Sequence, residues 1–349
     1  MTAGLPGSVT LLPVPGVPEV RAGDDLAGLL TTALSALGDL QEGDVLVVSS
    51  KVVSKALGLR EPEGRAREDL VLRHSRRVVA ERATPAGGTT RIVEAVAGPV
   101  MAAAGLDASN TGPDGGTLVL PEDPDAAARE LHEGLVRHGA PARVAVVLSD
   151  TAGRPWRSGQ TDLALGSWGL RVLDDLRGGT DADGRPLAVT ARAVADEVTA
   201  AADLVKGKLG GIAAAVVRGL TDHLAESGGD GARSLVRTGP TDWFGLGRAE
   251  AVRTALGAAP GTVEAATVGI PSVRPEDDED RGERAVRLAL LGQAPGVTVT
   301  GSAAEGYAVR SPDPVLAGRV AARLEVALAG EQVAALVVVE LAGDASADD

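Results

Sequence analysis

Residues 144–170 read VAVVLSDTAGRPWRSGQTDLALGSWGL, and they narrow the possible folds more than any other stretch of the chain. Residues 144–148 form a short, wholly apolar, valine-rich run, the pattern of a buried strand. The run ends in Ser149-Asp150-Thr151. A carboxylate and a hydroxyl then stand at the carboxyl end of a strand, where α/β proteins place ligand sites. Gly153, Arg154, Trp156, Arg157 and Gly159 follow at once. Two guanidiniums beside a carboxylate and a hydroxyl suit a metal-bound, multiply charged anion. The aspartate would hold the cation and the arginine forks would hold phosphate or carboxylate. The same residues also read as a strand, a polar turn and a surface arginine pair, and pattern alone leaves both readings open.

The rest of the chain limits the chemistry. Its 349 residues leave room for two or three domains. Aromatic residues make up only 1%, so the cores must be built from Val, Leu, Ala and Ile, and stacking on bases is a poor expectation. A net charge of −14 argues against a nucleic-acid backbone binder, which would present basic stripes. A small phosphorylated ligand held by local Arg, Lys and metal remains compatible. Cysteine is absent, which removes disulfides, thiolate metal sites and thiol nucleophiles together. The four histidines, His74, His132, His138 and His223, show no zinc-hydrolase spacing. No N-terminal signal pattern and no run of about 18 apolar residues is present, so a cytoplasmic protein with no membrane partner is expected.

In chain order, residues 9–12 predict a strand, and the prolines at 13, 15 and 18 predict a shaped loop after it. Asp24 or Asp25 caps a helix whose apolar face is Leu26, Leu29, Leu30, Leu34 and Leu37. Residues 45–48 form the next strand and run into Ser49-Ser50-Lys51-Val52-Val53-Ser54-Lys55. Hydroxyls and amides opening a helix make an anion site, with Lys51 and Lys55 one turn apart. No Walker motif occurs, and a solvated lysine pair is the plainer reading. Residues 60–82 are dense in Arg and Glu, and Leu70, Val71, Val78 and Val79 give them one apolar strip, which predicts a surface helix. Residues 89–93 predict a strand. In residues 105–111, Asp107, Ser109 and Asn110 crowd one loop, either as turn formers or as oxygen ligands for a hard cation, turn chemistry being the commoner use. A short strand at 118–120 and a helix from Asp123-Pro124-Asp125 to about His138 follow. Residues 181–184 predict a hairpin turn. A helix from about 193 ends near Lys206-Gly207-Lys208, and residues 212–217 form another apolar strand. A flexible loop is placed near 225–232. The tail reads helix (about 247–257), acidic run, helix, strand (297–300), helix (313–329), strand (333–341) and a frayed end from 342. No repeat of solenoid period occurs.

Five blocks now carry a resemblance. PGVPEVRAGDDL, GDVLVVSSKVVSKALG, AAAGLDASN, LSDTAGRPWRSGQTDLALGSWGL and VTARAVADEVTAAADLVKGK are similar, in that order, to the coenzyme F420-0:L-glutamate ligase (F420 γ-glutamyl ligase) family. The likeness spans roughly residues 9–247. The two-domain actinobacterial members look most similar, because the junction Trp243-Phe-Gly-Leu-Gly also resembles theirs. The resemblance implies a mixed α+β ligase domain of intertwined subdomains over 1–247 and a homodimer. Residues 248–349 would then be a small α/β module, truncated or replaced relative to the FMN-binding nitroreductase-like domain of the long members. Ser272-Val273-Arg274 faintly resembles the opening of that domain, but too little chain follows for a flavin site, so FMN is not expected.

The resemblance also implies an activity. GTP and a divalent metal activate the lactyl carboxylate of the deazaflavin F420-0 as an acyl phosphate, and the amine of L-glutamate attacks it. Further additions would run through the γ-carboxylate. Such chemistry needs cationic neutralisation more than a protein nucleophile. By position, Asp107 and Asp150 are implied as ligands of one Mg²⁺ or Mn²⁺ and Thr151 of a second, with K⁺ as a further candidate ion. Ser50, Lys55 and Asn110 are implied GTP contacts, and so are Val17, Pro18, Glu19 and Val20 in one loop and Lys206, Gly207 and Lys208 in another. Chemistry alone assigns Arg154 and Arg157 to phosphate or substrate carboxylate. One departure stands out: Lys208 lies where archaeal members carry an acidic residue beside the second metal. Two rivals remain, a bifunctional enzyme that also reduces the dehydro precursor with FMN, and a non-catalytic nucleotide-binding homologue.

Overall fold

In the computed structural model the described residues are 7–238, 242 and 244–341. Trp243 of the junction and the end from 342 lie outside them. Contacts divide the chain into two compact units, residues 1–66 with 94–238, and residues 67–93 with 239–349. Residues 67–93 thus pack within the unit formed by the C-terminal third, although in sequence they interrupt the ligase-like blocks.

The first unit is built on a five-stranded sheet of order Thr10–Val14, Ala214–Arg218, Val45–Ser49, Ala145–Arg154 and Arg157–Trp168. Its central pair, Val45–Ser49 and Ala145–Arg154, is parallel, and every other pairing is antiparallel. The apolar runs read as buried strands because both faces are covered. On one face Leu46, Val48, Val146 and Leu148 meet Leu30, Leu34, Leu131 and Leu135 of the helices Leu26–Leu34 and Pro124–Arg137. On the other, Val45, Val47, Ala145 and Val147 meet Val194, Ala195, Val198 and Ala202 of the helix Val194–Lys206. The period-2 alternation of a strand thus splits each run between two cores. Of the two cap candidates, Asp25 accepts the Gly28 N–H, whereas Asp24 accepts the Arg21 N–H outside the helix.

Two local expectations are corrected. The first strand runs through Pro13 to Val14 instead of stopping at Leu12. It is an edge strand, where a residue without an N–H is tolerated. Residues 60–82 are not one surface helix. Only Arg67–Arg73 is helical, and Ser75–Ala83 is a strand in a hairpin with Thr89–Ala95. The charge density that suggested a wet helix face includes Glu81, which is buried and tied to Arg91 and to the Gly261 N–H.

In the second unit a three-stranded sheet, Thr298–Ser302, Gly306–Ser311 and Val337–Leu341, packs with the helices Asp278–Leu290 and Pro314–Glu331 around Leu288, Val309, Val320, Leu324 and Leu328. The strand Gly306–Ser311 and the short helix Val263–Val268 went unanticipated. Arg284, buried here, binds Glu276 and Glu331 through paired contacts of 2.7–3.0 Å.

Candidate functional site

The register of the first unit gathers four chain segments at one end of its sheet. Val14 faces Ala214, Ala214 faces Val48, and Ser49 faces Ser149. The segments that leave or enter the sheet there are the loop after Val14, the helix Ser50–Ala56, the continuation through Asp150 and Thr151, and the loop between Lys206 and Ala214. They surround a cavity of about 450 Å³.

The cavity is lined by Val17, Pro18, Glu19, Val20, Lys55, Asp107, Asn110, Asp150, Thr151, Lys206, Gly207 and Lys208 from the sequence-derived set. Ser50 is buried and does not line it, while its neighbour Ser49 does. Arg154 and Arg157 are also absent from the lining. Both are exposed at the tip of the hairpin, beyond the end of the parallel pairing. Lys51 and Ser109, read from the sequence as a helix-start lysine and a turn or cation oxygen, also line it, and the lining carboxylates that sequence reasoning missed are Asp162 and Asp203.

The cations of the site are already ordered by oxygens. Lys51 Nζ lies 2.8 Å from Asp107 Oδ2 and 2.9 Å from the Ser109 carbonyl. The Ser109 amide and hydroxyl each donate to Asp107 Oδ1 at 2.7 Å. Burial alone would raise the Asp107 carboxyl, but these bonds outweigh it and hold the group below the ordinary range. Lys55 reaches Glu19 Oε1 at 2.5 Å. Arg60 braces the intervening loop by donating to the Thr111 and Gly115 carbonyls. At the floor, buried Lys206 contacts both Asp162 Oδ2 and Ser149 Oγ at 2.8 Å. Burial would lift Asp162 too, yet Lys206 and the hydroxyls of Thr151 and Ser149 keep it low. Lys208 Nζ donates to Thr151 Oγ1 at 2.7 Å.

Asp150 differs. Burial pushes its carboxyl up to about 7; the Thr151 amide opposes this, and the neighbouring Asp162 and Asp107 carboxylates add to it. A carboxyl raised by burial and then by two anionic neighbours is a place that gains from an added cation. Among the described residues no group of three or more His, Asp or Glu stands close enough to hold a metal unaided. The donors present nevertheless fit one Mg²⁺-like ion, which binds through one or two carboxylates and completes its shell with water and substrate phosphate. They fit a second ion less well, because the Thr151 oxygen is already met by the Lys208 ammonium.

The fold and this cavity define a mixed α+β protein in which ammonium groups and hard oxygen donors line a cavity at one end of a mostly antiparallel sheet. The family model of the F420-0:gamma-glutamyl ligases matches residues 16–60 and 62–219, more than half of the chain and the whole of the cavity lining. The chain belongs to that family. A coenzyme F420:L-glutamate ligase of Halorubrum lacusprofundi is 38% identical over 254 residues, covering 65% of this chain and 97% of its own length. One of the same name from Methanopyrus kandleri is 38% identical over 261 residues, covering 69% of this chain and 99% of its own length. Another from Haloarcula marismortui is 42% identical over 230 residues, covering 59% and 85%. No helix among the described residues is long and apolar enough to cross a membrane.

Proposed function

We propose that this protein ligates L-glutamate to the lactyl carboxylate of the deazaflavin F420-0, using GTP and a divalent cation. Membership of the ligase family supports the reaction class, and one structural observation supports the mechanism: Asp150 and Asp107 share a cavity with four ammonium groups. Mg²⁺ or Mn²⁺ would be held by Asp150 and Asp107 and would neutralise charge between the nucleotide and the acceptor carboxylate. The loop holding Val17, Pro18, Glu19 and Val20 and the helix carrying Lys51 and Lys55 enclose the nucleotide. Asn110, in the left-handed region at φ +50°, lines the same cavity as Asp107. In-line transfer of the γ-phosphoryl to the carboxylate gives an acyl phosphate, and attack by the glutamate amine releases phosphate. No protein nucleophile is required, which suits a cavity without Cys or His.

The test is nucleotide turnover. GDP and phosphate should form only when F420-0, L-glutamate and divalent metal are all present, in amounts equal to the amide formed. GTP bound without turnover under those conditions would leave a non-catalytic homologue as the reading.

A further inference from the structure

Asp162 was not singled out by any sequence motif, yet the floor of the cavity is tied together through it. It lies on the return strand of the hairpin, facing Thr151 in register, and is 4% exposed. Its Oδ1 accepts the Thr151 hydroxyl at 2.7 Å. Its Oδ2 accepts Ser149 Oγ at 2.9 Å and Lys206 Nζ at 2.8 Å. The carboxylate is therefore fixed from both sides.

A hydroxyl carries one proton. Thr151 commits that proton to Asp162, so towards the cavity its oxygen can only accept. The group it accepts from is Lys208 Nζ, at 2.7 Å. Lys208 itself stands outside any helix or strand, two residues past the end of Val194–Lys206 and after Gly207, whose φ is +59°. Its backbone does little to aim a long side chain, and the Thr151 oxygen supplies the missing anchor.

We propose that Asp162 is a positioning residue. By fixing Thr151 as an acceptor, it holds the Lys208 ammonium at the cavity wall as a standing cationic contact for the polyphosphate of a nucleoside triphosphate. Lys208 thereby fills the place that the family resemblance gives to a second divalent ion. The inference rests on the nucleotide-binding reading above.

The experiment is calorimetric titration with guanylyl imidodiphosphate and Mg²⁺, with circular dichroism confirming that each variant is folded. Thr151→Val cuts the chain between Asp162 and Lys208 without touching Lys206. It should weaken binding by roughly tenfold, the order expected for one charged hydrogen bond, while Thr151→Ser keeps wild-type affinity. Lys208→Ala should weaken binding similarly, and adding Thr151→Val to Lys208→Ala should cost nothing more, because both changes remove one linked contact. Asp162→Leu alone, which removes the acceptor, strands a buried ammonium and endangers the fold, so it is paired with Lys206→Met. That pair should show the same loss, which again vanishes in the Lys208→Ala background. Wild-type affinity in Thr151→Val would overturn the proposal, and so would a full further loss when Thr151→Val is added to Lys208→Ala. A wild-type protein that binds no analogue would instead overturn the nucleotide reading on which the proposal depends.

Discussion

Lys206 Nζ lies 2.8 Å from Asp162 Oδ2, and both side chains are 4% exposed. The pair sits under the cavity at the end of one helix and the middle of one strand. An ammonium so placed serves the floor of the site before it can serve a ligand. Breaking a buried pair by removing one partner leaves an uncompensated charge, at a cost of about 3–5 kcal/mol. Lys206→Met should therefore lower stability strongly, while Lys206→Met with Asp162→Asn should recover much of the loss. Urea unfolding midpoints of the three proteins check this.

Asp150 has the opposite character. Its folded-state carboxyl titrates near 7, above its unfolded value of 3.8. The folded state therefore holds the proton more tightly than the unfolded chain. The favourable contribution is complete below the unfolded value, shrinks as pH rises from about 4 to about 7, and is gone above that. At pH 8, without metal, Asp150→Asn should be more stable than wild type, and the difference should narrow as pH falls below 7. The same variant should lose ligation while keeping its circular dichroism spectrum. Thermal melts across that range and a ligation assay read the two effects separately; near-normal turnover in a folded Asp150→Asn protein would remove Asp150 from the mechanism.

The second unit carries its own acid sensitivity. Burial tends to raise the Glu276 carboxyl, but its paired bonds to Arg284 hold it below the ordinary value of 4.5. Its stabilisation is present above that value and is lost as pH falls through the lowered one. Glu276→Gln should therefore reduce stability at pH 7 and flatten the loss below about pH 4.5. Melting curves for both proteins from pH 7 to 3 show whether it does.

Gly166 fixes how closely the return strand of the hairpin approaches a helix start. A Cβ there would stand 2.1 Å from the Pro124 carbonyl oxygen and 2.2 Å from its carbon, both backbone atoms that cannot step aside. Gly166→Ala should cost at least the ~1–3 kcal/mol typical of overpacking. Chemical denaturation of this variant beside Gly153→Ala, where nothing lies within 4 Å, separates crowding from the general effect of losing a glycine.

Lys55, 6% exposed and bound to Glu19, lines the cavity together with the Val17–Val20 loop. Lys55→Ala should weaken guanine-nucleotide binding by roughly tenfold if the ammonium meets a phosphate. Unchanged affinity in a fluorescence titration would strike it from the contact set.

What the sequence made legible was local. Apolar runs at 45–48 and 144–148 identified strands because both faces of each are buried, and Asp123 with Pro124 announced the helix they cap and open. Asp107, Asp150, Thr151 and the lysines stood out because each lies in a compact block. Asp162 did not, because its role depends on which residue faces it across a hairpin. The turn at Pro155-Trp156 marks the hairpin, but simple counting back from the Arg154–Arg157 pair reaches Gln160 opposite Thr151, and only an irregularity at Gly153/Arg154, which no local pattern announces, shifts the register so that Asp162 faces it. Arg154 and Arg157 pair with each other at the very tip, outside the cavity lining. Residues 75–83 misled for another reason. A charged residue such as Glu81 can be buried when Arg91 and the Gly261 amide satisfy it, and no local pattern reveals a partner 180 residues away.

The central claim is tested most directly by the mass of the deazaflavin. F420-0 is incubated with this protein, L-glutamate, GTP and Mg²⁺ or Mn²⁺, and the product is weighed by mass spectrometry. The account predicts a product heavier by one or more glutamyl units, formed only when both GTP and metal are present. An unchanged deazaflavin with GTP intact would contradict it.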